Sequence, residues 1–173
     1  MKIHTECNEK NNQAILLAKI LLDKKLTISF AESCTGGLTS SIMTDIPGSS
    51  NFLMGSIVSY SNKAKHEILN VTTLNLEKFG AVSEQVAKEM AIGVQALFNV
   101  DVGVSITGIA GPGGATKDKP VGLVYIAVIY NKVLVVEKCY FEGTRKEIKM
   151  KSAKKAIELA KKNIDENHKE KNK

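Results

Sequence analysis

Apolar and polar positions along the chain fall into segments of two periods. From Asn12 to Lys24 the run "AILLAKILL" puts apolar side chains all round a helical turn, which predicts a well-buried helix capped by Asn11 or Asn12. "LTISFA" then reads as a short internal strand, and "GGLTSSIMTD" as a helix closed by "IPGSS", where Pro47 and Gly48 break it. Phe52–Ser61 is a second strand. "NKAKHEILN" and "TTLNLEKFG" are two short helical turns, the second ended by Gly80, and "SEQVAKEMAIGVQALFN" is an amphipathic helix with Ser83 as its cap. Asp101–Thr107 is a third strand that runs into the glycine-rich "GIAGPGGATKDKP". "VGLVYIAVIY" and "KVLVVEKCYF" form a hairpin at Asn131, and a last long helix begins near Thr144.

Helices between the first three strands argue for parallel pairing there, while the hairpin must be antiparallel. The expected fold is therefore α/β, a three-layer α/β/α sandwich with a mixed, mainly parallel five-stranded sheet ending in a β-hairpin. One domain over residues 1–165 holds every element, followed by a polar tail, 166–173, expected to be disordered. No internal repeat or linker interrupts the pattern.

Composition narrows the function classes. A chain of 173 residues buries roughly 70% of its unfolded surface without staples. No apolar run approaches the roughly 20 residues of a membrane span, and "MKIHTECNEKNNQ" lacks the apolar core of a secretory signal, so a soluble, cytoplasmic protein without a membrane partner is expected. Cys7, Cys34 and Cys139 are odd in number and widely spaced, which argues against a disulfide framework and against a zinc site. The net charge of +6 lies wholly at the carboxy end: residues 144–173 hold eleven Lys/Arg against five Asp/Glu, and the rest of the chain balances thirteen against thirteen. Without interleaved aromatic residues this stretch reads as a solvated helix face rather than a nucleic-acid surface, with an anionic partner as the other reading.

Ligands of open α/β sheets bind beyond the carboxyl ends of strands, which singles out three exits: "ESCTGG", "YSNKAK" and "TGIAGPGG". At the first, Ser33 and Thr35 either cap the following helix or face a ligand held by its free N–H groups, and Gly36 and Gly37 permit close approach. Cys34 is a rival nucleophile, but His4, His66 and His168 make no visible dyad with it, so a small buried thiol fits it better. At the second, Lys65 is either a solvated helix lysine or a general base whose pKa burial lowers. Tyr60 shares its pocket if a helix starts after Asn62, and Lys63 then points outward. The third exit is not G-x-x-x-x-G-K-[ST]; its glycines, Gly108 and Gly111 among them, suit a rigid wall, and Thr107 adds a hydroxyl. Scattered histidines and the lack of an acidic cluster give no metal-ligand spacing, so no cofactor is expected.

Taken in order, "AESCTGG", "DIPGSSNFLMGSIVSYSNKAK", "FGAVSEQVAKEMA", "SITGIAGPGG", "KPVGLVYIAV" and "FEGTRKEIK" resemble the CinA C-terminal domain family, over roughly residues 12–162. The family includes stand-alone nicotinamide-nucleotide amidases, and this chain resembles the free-standing form. The resemblance implies hydrolysis of the carboxamide of nicotinamide mononucleotide to nicotinate mononucleotide and ammonia, without a metal, by a homo-oligomer. By motif it makes Ser33 the nucleophile, Lys65 the base and Tyr60 their neighbour. One departure is Thr144 before Arg145, where the family more often carries Asp or Asn. A serine–lysine scheme would use neutral Lys65 to activate Ser33, with Tyr60 helping or relaying the proton. The N–H groups of the helix after Ser33 would hold the oxyanion, and the "TGIAGPGG" loop with Arg145 the phosphate. A nucleotide-binding or competence-associated module without catalysis, and an amidase on another small amide, are the competing readings.

Overall fold

The computed structural model describes residues 12–169 and arranges them around one five-stranded sheet of order β2-β1-β3-β4-β5. The elements are α1 (Asn12–Lys24), β1 (Ile28–Glu32), α2 (Leu38–Thr44), β2 (Leu53–Val58), α3 (Asn62–Leu69), α4 (Thr73–Phe79), α5 (Glu84–Phe98), β3 (Val102–Gly108), β4 (Leu123–Tyr130), β5 (Val133–Tyr140) and α6 (Arg145–Lys169). β1 pairs in parallel with both β2 and β3, β4 runs antiparallel to β3, and β5 antiparallel to β4. Four strands therefore point the same way, in the mixed sandwich expected. The hairpin turn uses two residues, Asn131 and Lys132, both at positive φ, which matches the twist of the flanking strands.

Alternation along each strand divides the core between two helical layers. Ile28, Phe30, Val102, Val104, Ile106, Val124, Ile126 and Val128 pack in one cluster with α1, α2 and α6. The opposite face presents small side chains, Ala31 and Ala127 among them, to α5 and the ends of α3 and α4. Ser105 belongs to that face, where its hydroxyl donates to the Ala87 carbonyl at 2.6 Å and so ties β3 to α5.

Two boundaries differ from the sequence reading. β2 is shorter than Phe52–Ser61, because its last ladder bond is made by the Ser59 N–H and Ser61 already caps α3 by accepting from the Ala64 N–H at 3.0 Å. The tail expected from residue 166 is helical as far as Lys169: Asn163 and Asn167 lie buried, Asn163 donating to the Val128 carbonyl and Asn167 to the Asn163 carbonyl, so burial and hydrogen bonding continue the helix. The expected cap of α1, Cys7, His4, the His168 side chain and residues 170–173 lie outside the described residues. No described helix is long and apolar enough to cross a membrane.

Candidate active site

The parallel strands β1, β2 and β3 end on the same edge of the sheet, so the three exits meet. Two main-chain bonds extend the ladders past the strands: the Ser33 N–H donates to the Ile106 carbonyl at 3.0 Å, and the Ser59 N–H to the Glu32 carbonyl at 2.9 Å. Between them opens a pocket of about 230 Å³ lined by Ser33, Cys34, Tyr60, Lys65, Ala81, Val82, the 107–114 loop and Arg145.

Lys65 sits one turn into α3 and is 1% exposed. Its Nζ lies 3.0 Å from Ser33 Oγ, 2.6 Å from the Ser59 carbonyl oxygen and 3.4 Å from that of Tyr60. Three acceptors therefore surround one amine. Burial pushes its pKa down to about 8, against a small opposing effect of Cys34. A neutral amine here donates two hydrogens to the two carbonyls and turns its lone pair to the Ser33 hydroxyl, the geometry a general base requires. Ser33 itself is 8% exposed, just past the end of β1. Its neighbour Cys34 is a buried thiol pushed up to about 12, chiefly by burial and further by Glu32 nearby, which disfavours the thiolate as a rival nucleophile.

Tyr60 is 65% exposed, and its hydroxyl accepts from Arg145 Nη2 at 3.4 Å rather than bonding Ser33 or Lys65. The proton relay expected of Tyr60 is thus absent from this geometry; its ring and Arg145 form the rim. Arg145 Nη1 donates to the Gly111 carbonyl at 2.6 Å, which joins the start of α6 to the third exit. Thr144 closes a capping box: its N–H and hydroxyl both donate to Glu147 Oε2, at 2.7 and 2.8 Å. These bonds also pull the pKa of Glu147 below the usual carboxylate range. Beyond Arg145 a second cavity of about 410 Å³ is lined by Leu38, Lys146, Lys149 and Met150. Lys63 points outward, as expected, towards Glu67.

Thr107, Gly108 and Gly111 line the pocket, but the Thr107 hydroxyl donates to the Ala81 carbonyl at 2.8 Å and is spent on holding the 81–82 turn. Thr35, Gly36 and Gly37 do not line it. Thr35 is fully buried with an unpartnered hydroxyl, and Gly36 and Gly37 serve a left-handed turn, at φ 64° and 93°. Neither Ser33 nor Thr35 caps α2. Glu32 does so: its carboxylate accepts from the N–H groups of Gly37, Thr39 and Ser40 at 3.0, 3.1 and 2.9 Å and from the Ser40 hydroxyl at 2.6 Å. The start of α2, expected to hold an oxyanion, is therefore occupied by a carboxylate of the chain itself. Among the described residues, no acceptor takes the N–H of Cys34 or Thr35, the two residues that follow Ser33 in the chain. Sequence reasoning missed Glu32, Ala81 and Val82. A glutamate at the end of an apolar strand was the one available signal.

Known proteins of similar sequence and structure identify the family. A family model for the CinA C-terminal domain matches residues 10–164. A putative competence-damage inducible protein of Clostridioides difficile (strain 630) is 49% identical over 138 residues, 80% of this chain and 33% of that protein. A CinA-like protein of Syntrophomonas wolfei is 48% identical over 149 residues, 86% of this chain and 36% of that one. The chain thus spans about a third of the length of these curated relatives. Among solved structures, the competence/damage inducible protein CihA from Agrobacterium tumefaciens superposes with a TM-score of 0.81 at 39% identity, covering 85% of this chain and 92% of that one. A CinA superfamily protein from Escherichia coli superposes with a TM-score of 0.85 at 30% identity, covering 92% and 95%. With the family model matching residues 10–164 and relatives of 48–49% identity beside it, the chain belongs to the CinA C-terminal domain family.

Proposed function

We propose that the chain is a serine amidase that hydrolyses the carboxamide of nicotinamide mononucleotide to nicotinate mononucleotide and ammonia. The observation that carries this reading is the buried Lys65 Nζ at 3.0 Å from Ser33 Oγ. A lysine removed from water and held by two carbonyls is costly for the fold and useful for proton transfer. Lys65 takes the Ser33 proton as Oγ attacks the amide carbon; the C–O bond forms and the carbonyl electrons move to oxygen. The N–H groups of Cys34 and Thr35 are the donors for that oxyanion. Protonated Lys65 returns its proton to the nitrogen, the C–N bond breaks and ammonia leaves. Water, deprotonated by the same amine, then attacks the acyl carbon; the C–Oγ bond breaks, the acid leaves and protonated Lys65 returns its proton to Ser33 Oγ. Arg145, with Lys146 and Lys149 beside it, supplies the positive charge for the 5′-phosphate, and Tyr60 gives the pyridine or ribose a ring to lie against.

Ammonia release from nicotinamide mononucleotide by the purified protein, in the presence of a chelator and beside a Ser33→Ala variant, tests this. Release that disappears in the variant supports the reading. A well-folded parent protein that binds the nucleotide and releases nothing points instead to a binding module, and equal release by both proteins removes Ser33 from the chemistry. Nicotinamide and its riboside, assayed alongside, separate this substrate from another small amide.

A further inference from the structure

We infer that Glu32 is a positioning residue for the Ser33 nucleophile, its carboxylate holding the 33–36 turn that carries Ser33. The inference rests on Ser33 being the nucleophile of the proposed amidase. Period-2 alternation puts Glu32 on the same face of β1 as Ile28 and Phe30, and it is fully buried. A buried carboxylate is costly unless it is paired or fully hydrogen-bonded, and among the described residues no cation lies within salt-bridge distance of it. Instead four donors from residues 37–40 converge on its two oxygens.

The bond from Gly37 back to Glu32 closes the chain into a ring that contains Ser33, Cys34, Thr35 and Gly36. Within it the Gly36 N–H donates to the Ser33 carbonyl at 3.2 Å, and the Ser33 N–H is pinned to Ile106. The Ser33 backbone is thus fixed on either side. The other arm runs through the main chain: the Glu32 carbonyl accepts from Ser59, and the Ser59 carbonyl accepts from Lys65 Nζ. That second link uses the main-chain carbonyl at position 32 and persists whatever the side chain, so the Glu32 carboxylate acts on the Ser33 side of the pair.

A helix that needs only a cap is ordinarily served by Ser, Thr, Asp or Asn at the cap position, yet here that position is Gly37, which has no side chain, and the nearby Thr35 hydroxyl is buried and unpartnered. Breaking a local rule at a buried charge beside the nucleophile marks a site kept for geometry. The same carboxylate takes up the free N–H groups of α2, so an incoming anion finds no competing seat there and the oxyanion is left to the N–H groups at 34 and 35.

The experiment compares Glu32→Gln and Ser40→Ala with the parent protein at a temperature where circular dichroism shows each to be folded. Steady-state ammonia release gives kcat and KM. The burst of p-nitrophenolate from p-nitrophenyl acetate gives the rate of Ser33 acylation without the nicotinamide substrate. Glutamine turns an amide N–H₂ towards the N–H donors of α2, so kcat and burst rate should both fall about 100-fold while KM stays within about threefold. Ser40→Ala removes one bond of the four and should lower both rates about three- to tenfold, again at constant KM. A residue that serves only the stability of the fold would leave both rates at the parent value in folded protein, and that result overturns the inference. If Glu32→Gln fails to fold, Ser40→Ala decides by the same criterion. A parent protein that shows the burst but no ammonia release sinks the amidase reading alone, and the variants' burst rates still test Glu32. A parent with neither, once folded, overturns both.

Discussion

At Lys65 the stability of the fold and the chemistry of the site depend on one titration. Its pKa of about 8 against an ordinary 10.5 means that below pH 8 the amine is charged in both folded and unfolded protein, and the folded state bears the full cost of burying it. Between about pH 8 and 10.5 only the unfolded chain holds the proton, so stability should rise with pH across that window, by about 3 kcal/mol at most. Urea denaturation from pH 7 to 10.5 should show this rise, and Lys65→Met should abolish it along with turnover. In the parent, kcat/KM should climb to a plateau with an apparent pKa near 8, the free base being the active form. A profile flat from pH 6 to 10, or a Lys65→Met variant that turns over normally, would remove Lys65 from the mechanism. Ser33 and Lys65 were legible in the sequence because strand exits are where an α/β sheet exposes side chains, and neither residue has a use in a core-filling loop. Glu32 was not. Three of its four donors are backbone N–H groups five to eight positions later, which leave no trace in residue type, so its charge at the end of an apolar strand was a signal without a visible partner.

α3 carries Lys65, and what sets the position of α3 is its contact with α5. Gly93 lies on the buried face of α5, where an added methyl would collide with the Leu69 carbonyl oxygen at the end of α3. Elsewhere a helical Gly→Ala change stabilises by up to about 1 kcal/mol. Here Gly93→Ala should instead destabilise by about 1–3 kcal/mol, because α3 must shift to make room. That shift moves Lys65 Nζ away from Ser33 Oγ, so kcat should fall in the folded variant as well; a variant as stable and as active as the parent would show that α3 is not held by this contact. The pattern of α5 was clear as an amphipathic helix, but the glycine gave no hint of which neighbour approaches it, since periodicity reports a buried face and not its occupant. The end of β2 was missed for a related reason. "SYS" continues the strand-like alternation, and only the Ser59 bond to Glu32 and the Ser61 cap turn it into the approach to α3.

On the scale of the whole molecule, the pocket is made by elements far apart in sequence: the ends of β1, β2 and β3, and the first turn of α6 more than a hundred residues after Ser33. The fold class followed from the order of elements, since helices between the first three strands force parallel neighbours. The return of α6 to the Ser33 end did not follow from that order, because nothing in a basic helix states where it docks; only the resemblance, through Arg145, pointed to it. Its cations carry a physical oddity. Arg145, Lys146 and Lys149 occupy the opening turns of a helix, where the macrodipole disfavours positive charge, and Arg145 and Lys149 are like charges four positions apart. Among the described residues none of the three is in a salt bridge, so a bound phosphate would relieve a repulsion already present. In Ser33→Ala protein, which on the proposed mechanism does not turn over, nicotinamide mononucleotide at a hundred times its Kd should stabilise by about 2.7 kcal/mol, a rise in Tm of about 5–10 °C for a chain of this size. The riboside, lacking the phosphate, should bind more weakly and shift Tm less at equal concentration. Raising salt should shrink the gap between the two ligands, as screening weakens the phosphate contact. Equal shifts from riboside and mononucleotide at every ionic strength would place the phosphate in solvent and leave these cations without a ligand to explain them.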